Sequence, residues 1–142
     1  YFDRSAEEAA QVIAASDDPG RLGRSAYHLV HPIMIAAIIV TAAADEKVLS
    51  HPSDTADTAT ALMIVGGSAL YLAGHAAIKA VVWRAVPTTR LTAIVMLALL
   101  GFLAPHISAI GLGGCAAVVL AALAASDRLM PAPVDAQTAD GV

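Results

Sequence analysis

The side chains of this 142-residue chain best suited to moving a proton or holding a cation are its histidines. Imidazole titrates near neutral pH, and His28, His31 and His75 all fall in stretches free of Asp, Glu, Lys and Arg. Tyr71 and His75 belong to a series, Gly67, Tyr71, His75 and Lys79, that recurs every four residues and so forms one stripe of a helix. If the stretches bearing His31 and His75 are antiparallel helices, both histidines lie roughly 10 Å or less from the same end, by helical rise. The expected site is a shared polar cluster of His28, His31, Tyr71 and His75, able to relay a proton or hold a cation. A plainer reading stands beside it. Tyr27, His28 and Lys79 would anchor or snorkel at an interface, and His75 would hydrogen-bond across helices.

Other chemistries find less support. Cys115 is the one cysteine, so no internal disulfide and no cysteine-based metal framework is expected, and its reading is small apolar packing. Asp45 and Glu46, followed by Lys47 and His51-Pro52, are read as solvated groups closing a helix, and Pro52, Ser53 and Asp54 as loop residues. A helix beginning only at Pro32 would be too short to cross by Ala44 and would carry these acids into the lipid boundary. A start near Ser25 leaves them solvated. No glycine pattern follows a strand or opens a phosphate-binding helix, so no nucleotide site is assigned. Neither a catalytic triad nor a metal site is expected, no cofactor is implied, and an enzyme ranks behind a transport protein and a structural membrane component.

These residues need a frame, and composition supplies it. Hydrophobic letters make up 58% of the chain and charged ones 14%, with a mean hydropathy of +0.70. A soluble domain carries roughly a quarter charged residues, so lipid is the expected solvent. Three runs, 25–44, 58–78 and 91–126, contain no charge, and they are about 20, 21 and 36 residues long where a crossing helix needs about 20. The third run holds Pro105-His106 near its middle, where a turn would divide it into two crossings. One tilted helix through all of it would extend some 54 Å, well beyond a bilayer core.

The expected architecture is therefore an all-α, polytopic transmembrane helix bundle of four spans. Its parts are a short helix and linker at 1–24, spans at 25–44, 58–83, 91–104 and 107–126, an outer loop at 45–57, a loop at 84–90, a turn at 105–106 and a disordered tail at 127–142. Arg21 and Arg24, then Lys79, Arg84 and Arg90, then Arg128, put both termini and the 84–90 loop in the cytoplasm by the positive-inside rule. The net charge of −4 comes from loops and ends, and no basic cluster points to nucleic acid. Ser5 and Glu8 fit a capping box opening the first short helix, with Asp17-Asp18-Pro19-Gly20 ending it. If a span continues through this point from upstream, that cap fails. Gly66, Gly67 and Gly74, with Gly113 and Gly114, are expected to let helix backbones approach closely.

Several short motifs occur in a telling order. Tyr1-Phe2-Asp3-Arg4, Tyr27-His28 before an apolar span, His51-Pro52, and the run from Gly66 to His75 (GGSALYLAGH) resemble the C-terminal part of the bacterial low temperature requirement A family, up to about Arg128. The resemblance implies a longer, multi-pass protein of the bacterial plasma membrane, with spans upstream of Tyr1 as partners besides the lipid bilayer, and self-association as a further expectation. It implies a role in growth or membrane homeostasis in the cold but no named reaction. His31-Pro32 departs from the plainly apolar start expected of the first span, so no role for His31 carries over.

Overall fold

The computed structural model describes residues 2–83 and 88–129. Its helices are α1 (Phe2–Ala14), α2 (Pro19–Arg24), α3 (His31–Ser50), α4 (Thr58–Ala61), α5 (Gly67–Trp83), α6 (Thr88–Leu103) and α7 (Ala109–Leu129). Two π-helical turns join them, Ser25–Val30 between α2 and α3 and Leu62–Gly66 between α4 and α5. The result is an all-α bundle with four helical segments long and apolar enough to cross a membrane, His28–Ser50, Thr58–Trp83, Thr88–His106 and Ala109–Asp127. The third charge-free run divides into α6 and α7 around a 3-10 turn at Ala104–His106. Among the described residues no strand forms beyond an isolated bridge between Thr55 and Ser108.

Lipid-compatible chemistry is visible in the side chains. Leu29, Ile35, Ile38, Ile39, Leu99 and Phe102 are exposed, an arrangement that costs nothing where the solvent is hydrocarbon. Hydroxyls inside the helices bond back to their own backbone: Thr41 Oγ1 donates to Ala37 O, Ser68 Oγ to Ile64 O and Thr92 Oγ1 to Thr88 O. The span containing α5 is the most enclosed, 39% buried against 17–22% for the other three, because α3 packs on one side of it and α6 on the other. The core gathers around Leu72, Leu97 and Leu112, from α5, α6 and α7.

The first π-helical turn has a local cause. Pro32 has no N–H to give the His28 carbonyl and its ring crowds that oxygen, so the turn before it widens. Helix runs without a break from Pro19 to Ser50, which corrects two expected boundaries. Residues 19–24 are the start of this rod and not linker, with Asp18 Oδ1 accepting from Arg21 N–H at its head. The rod also carries Asp45, Glu46 and Lys47, all exposed, past the expected end at Ala44, since a helix needs no new backbone partners to continue into headgroups. The capping box fails, because α1 already runs from Phe2 and the Ser5 backbone is interior. Helix α1 instead rests on the end of α5 through Ala9, Val12 and Ile13 against Val82 and Ile78. Tyr1, residues 84–87 and residues 130–142, which include most of the expected tail, lie outside the described residues.

At the opposite end, the loop after α3 supplies backbone partners for α7. Ala109 N–H donates to Asp54 O at 2.7 Å, Ile110 N–H to Pro52 O at 3.3 Å, and Gly111 N–H to the Ser108 hydroxyl at 3.2 Å. Three donors that the first turn of a helix leaves open are thus satisfied. Asp57 caps α4 in the same way, accepting from Thr60 N–H at 2.6 Å, with Lys47 Nζ 3.6 Å away.

The glycines divide into two groups. A methyl on Gly67 would stand 2.6 Å from Thr41 Oγ1 and 3.3 Å from Ala37 O, so α3 and α5 touch there backbone to backbone. A methyl on Gly74 would meet Met34 Cγ at 2.5 Å, a side chain able to turn away. Gly66, Gly113 and Gly114 have open space at that position among the described residues. Cys115 is exposed on α7, where the expectation was packing. Gly67→Ala is expected to destabilise the bundle by about 1–3 kcal/mol through overpacking and Gly74→Ala by less. Gly114→Ala should be neutral or stabilising through helix propensity. Thermal unfolding in detergent measures the order.

Candidate functional site

The strongest polar constellation in the bundle joins three helices at the end where α1 and α2 lie. His75 on α5 accepts a hydrogen bond at Nδ1 from Arg90 Nε, 3.0 Å away. Arg90, in the first turn of α6, then clamps Asp127 near the end of α7, with NH2 donating to Oδ2 at 2.7 Å and NH1 to Oδ1 at 3.3 Å. The Arg90 side chain is 6% exposed and that of Asp127 25%. Among the described residues no buried side-chain nitrogen or oxygen lacks a hydrogen-bond partner.

Each charge is placed against its own helix. A cation at a helix N-terminus and an anion at a C-terminus both oppose the macrodipole, and Arg90 and Asp127 are such a pair. The bidentate clamp offsets both penalties, because two parallel N–H to oxygen bonds in a low-dielectric setting are strong and directional. It also fixes the histidine. Since Arg90 Nε is a donor, His75 Nδ1 must be unprotonated and Nε2 must carry the proton. Adding a proton to Nδ1 would remove the acceptor and set two cations face to face.

The four residues singled out in the sequence are only partly gathered. Tyr71 lies one turn from His75 on α5, ring centroids 6.4 Å apart and tilted by 48°. His28 and His31 stand exposed at the start of the first span. The hydrogen bonds that join His75 to its neighbours come from Arg90 of α6 and, through it, Asp127 of α7. Arg90 and Asp127 are the residues that sequence reasoning missed, having been assigned to the 84–90 loop and the 127–142 tail. A signal for them exists. They bound the charge-free run 91–126 with opposite signs, and folding that run back at Pro105-His106 returns both to one end.

A second polar group occupies the other end. Lys47, His51, Asp54, Thr55 and Asp57 line a shallow recess of 150 Å³. The Asp57 carboxyl is held below the usual carboxylate range, first by the Thr60 backbone N–H, then by the Thr60 hydroxyl and by Lys47. Among the described residues no three of His, Cys, Asp and Glu gather closely enough to hold a metal ion.

With this geometry in hand, comparison with known proteins adds one match. The family described as bacterial low temperature requirement A protein matches residues 1–125, which takes in His75 and Arg90 and stops two residues before Asp127. No curated protein matches the chain, and no solved structure matches it.

Two outcomes follow. Removing one partner of the buried pair, as in Asp127→Ala, should cost about 3 kcal/mol because Arg90 is left charged and unpaired. Replacing both, Arg90→Met with Asp127→Leu, should recover most of that loss in a double-mutant cycle of unfolding in detergent. At the other end Asp57→Ala should lower the melting temperature at neutral pH. Because the folded carboxyl has the lower pKa, its contribution is complete above the unfolded value near 3.8 and disappears as pH falls through the folded one. The gap between wild type and Asp57→Ala should therefore close in acid.

Proposed function

This chain belongs to the bacterial low temperature requirement A family, and on that premise we propose that it forms part of an ion pathway or transporter in the bacterial plasma membrane. The pathway is locked by the triad of His75, Arg90 and Asp127. The observation that carries this reading is a buried arginine held on one side by a carboxylate and on the other by a neutral imidazole. Intramembrane ionisable groups are expensive to place, and pairing through a titratable acceptor makes the pairing itself respond to protons.

In this reading both termini and the end bearing the triad face the cytoplasm, which follows the distribution of Arg21, Arg24, Arg84 and Arg128. Protonation of His75 at Nδ1 releases Arg90 from α5 while Asp127 still holds it, so α5 can part from the α6–α7 pair. This reading is of a pathway rather than an enzyme: the Nδ1 acceptor of His75 is engaged by Arg90 and is not free to act as a general base. Its family name connects such a pathway to growth in the cold, through membrane homeostasis. The second reading is a structural component in which the triad only staples α5, α6 and α7 together, and it is favoured by the complete hydrogen bonding of the buried polar groups described.

Proteoliposomes holding the chain, with an entrapped pH-sensitive dye and an imposed pH gradient, separate the two. A hydrogen bond to a charged group is worth about 1.5–3 kcal/mol, so flux should rise at least about tenfold as acid breaks the His75–Arg90 bond. His75→Asn keeps an acceptor near the Nδ1 position without a titrating ring, and its flux should stay low across the same range. Identical pH profiles for wild type and His75→Asn would remove the lock. Dye traces no different from those of empty vesicles would leave the structural reading.

A further inference from the structure

We infer that the chain binds one phospholipid at the end of the bundle opposite the triad, with an ammonium-bearing headgroup at Asp54 and one acyl chain in a groove between the second and third spans. The groove has a volume of 440 Å³, within the roughly 300–1,000 Å³ of ligand sites. Its walls are small and apolar: Ala61, Val65, Gly66 and Ala69 on one side, Ala98 and Gly101 on the other. A methyl on Gly66 would meet nothing within 4 Å among the described residues, so a side chain there would occupy the groove. Length selects the occupant. The lining runs from Thr58 to Ala69 on one span and from Ile94 to Pro105 on the other, about 16 Å by helical rise. Thr58 begins the second span and Pro105 lies at the end of the third, so the groove opens where both spans leave the hydrocarbon. It stops near the middle of a core roughly 30 Å thick. That is the depth of one leaflet and suits a single acyl chain, whereas a helix from a second copy would need a groove along the whole core.

The mouth of the groove is polar. Ala56 borders both the groove and the 150 Å³ recess of Lys47, His51, Asp54, Thr55 and Asp57. Just beyond it the chain alternates between the two, with Asp57 and Thr60 lining the recess and Thr58 and Ala61 the groove. Every side chain of the two connections at this end, 51–57 and 104–108, is described. Two carboxylates face one ammonium in the recess, so its charge complements a cationic headgroup rather than an anionic one. Asp57 is engaged by Thr60 N–H and by Lys47. Among the described residues no hydrogen bond or ion pair engages the Asp54 carboxylate. The backbone that carries it is held, because Asp54 O accepts from Ala109 N–H and Thr55 bridges to Ser108. A carboxylate on a fixed loop loses less freedom on binding than one on a mobile loop. Asp54 thus takes the ammonium, and Lys47 stands at the same recess for the phosphate. The site lies at the other end of the bundle from His75 and does not require transport.

Phe102 borders the groove and is exposed, and Trp83 is the one tryptophan of the chain. Phe102→Trp in a Trp83→Phe background therefore places a single reporter at the site. This protein is reconstituted in phosphatidylcholine with increasing small amounts of phosphatidylethanolamine or phosphatidylglycerol brominated on an acyl chain, and quenching is followed. Quenching by the phosphatidylethanolamine should saturate, at about a fivefold lower lipid fraction than quenching by the phosphatidylglycerol, the ratio that about 1 kcal/mol for an exposed ion pair gives. Asp54→Asn, which keeps the backbone bond to Ala109, should bring the two curves together. Gly66→Leu and Ala98→Leu fill the groove from opposite walls, and each should remove the saturable part for both lipids. Those three results support the site. Quenching that rises in proportion to lipid fraction without saturating overturns it, as does a headgroup preference that is missing from the reporter protein or unchanged in Asp54→Asn. Quenching that weakens as the protein-to-lipid ratio rises also overturns it, because a second copy would then cover the groove.

Discussion

Hydrocarbon offers no hydrogen bonds, and this chain is organised around supplying them from within. Backbone groups are satisfied by helix over nearly all the described residues, and the exceptions are answered locally. Thr41, Ser68 and Thr92 turn their hydroxyls back on their own helices. Carbonyls of Pro52 and Asp54 receive the first donors of α7, so the loop after the first span becomes the cap of the fourth. The bundle is tied at that end by backbone chemistry, across elements far apart in sequence.

The other end is tied by charge. The Arg90–Asp127 clamp brings together helix termini whose dipoles would repel those charges singly, and His75 attaches the central helix to the pair. A hydrophobic contact could hold the same helices. A titratable one holds them conditionally, and this is the basis of the proton-responsive role proposed above. Apolar packing contributes little to such selectivity, because in lipid one apolar surface is nearly as good as another. Close approach at Gly67 and the polar ties at the two ends carry the specificity instead.

The all-α class, the count of four spans and the turn near Pro105 were legible in the chain because charge is excluded from hydrocarbon and leaves gaps of readable length. Helix ends were less legible. Asp45 and Glu46 mark where lipid stops, and the helix carries them on to Ser50 because its own bonds continue in any solvent. Arg90 was read as loop for the same reason, although it lies in the first turn of α6. Histidine spacing identified the stripe of Tyr71 and His75 but not the hydrogen bond from Arg90 to His75, since a repeat of four reports only which residues share a face.

What the residues determined unaided is the solvent this polypeptide needs, the number of times it crosses and the stripe on which its polar groups fall, all consequences of hydropathy and helical period. Which helices meet that stripe was decided by tertiary structure alone. Partner choice depends on the rotation of each helix about its axis and on the return of the 91–126 run, which places Arg90 beside His75 across 15 residues and Asp127 beside Arg90 across 37. Neither period nor composition encodes that rotation; it is set by where α3, α5, α6 and α7 can approach, at Gly67 above all.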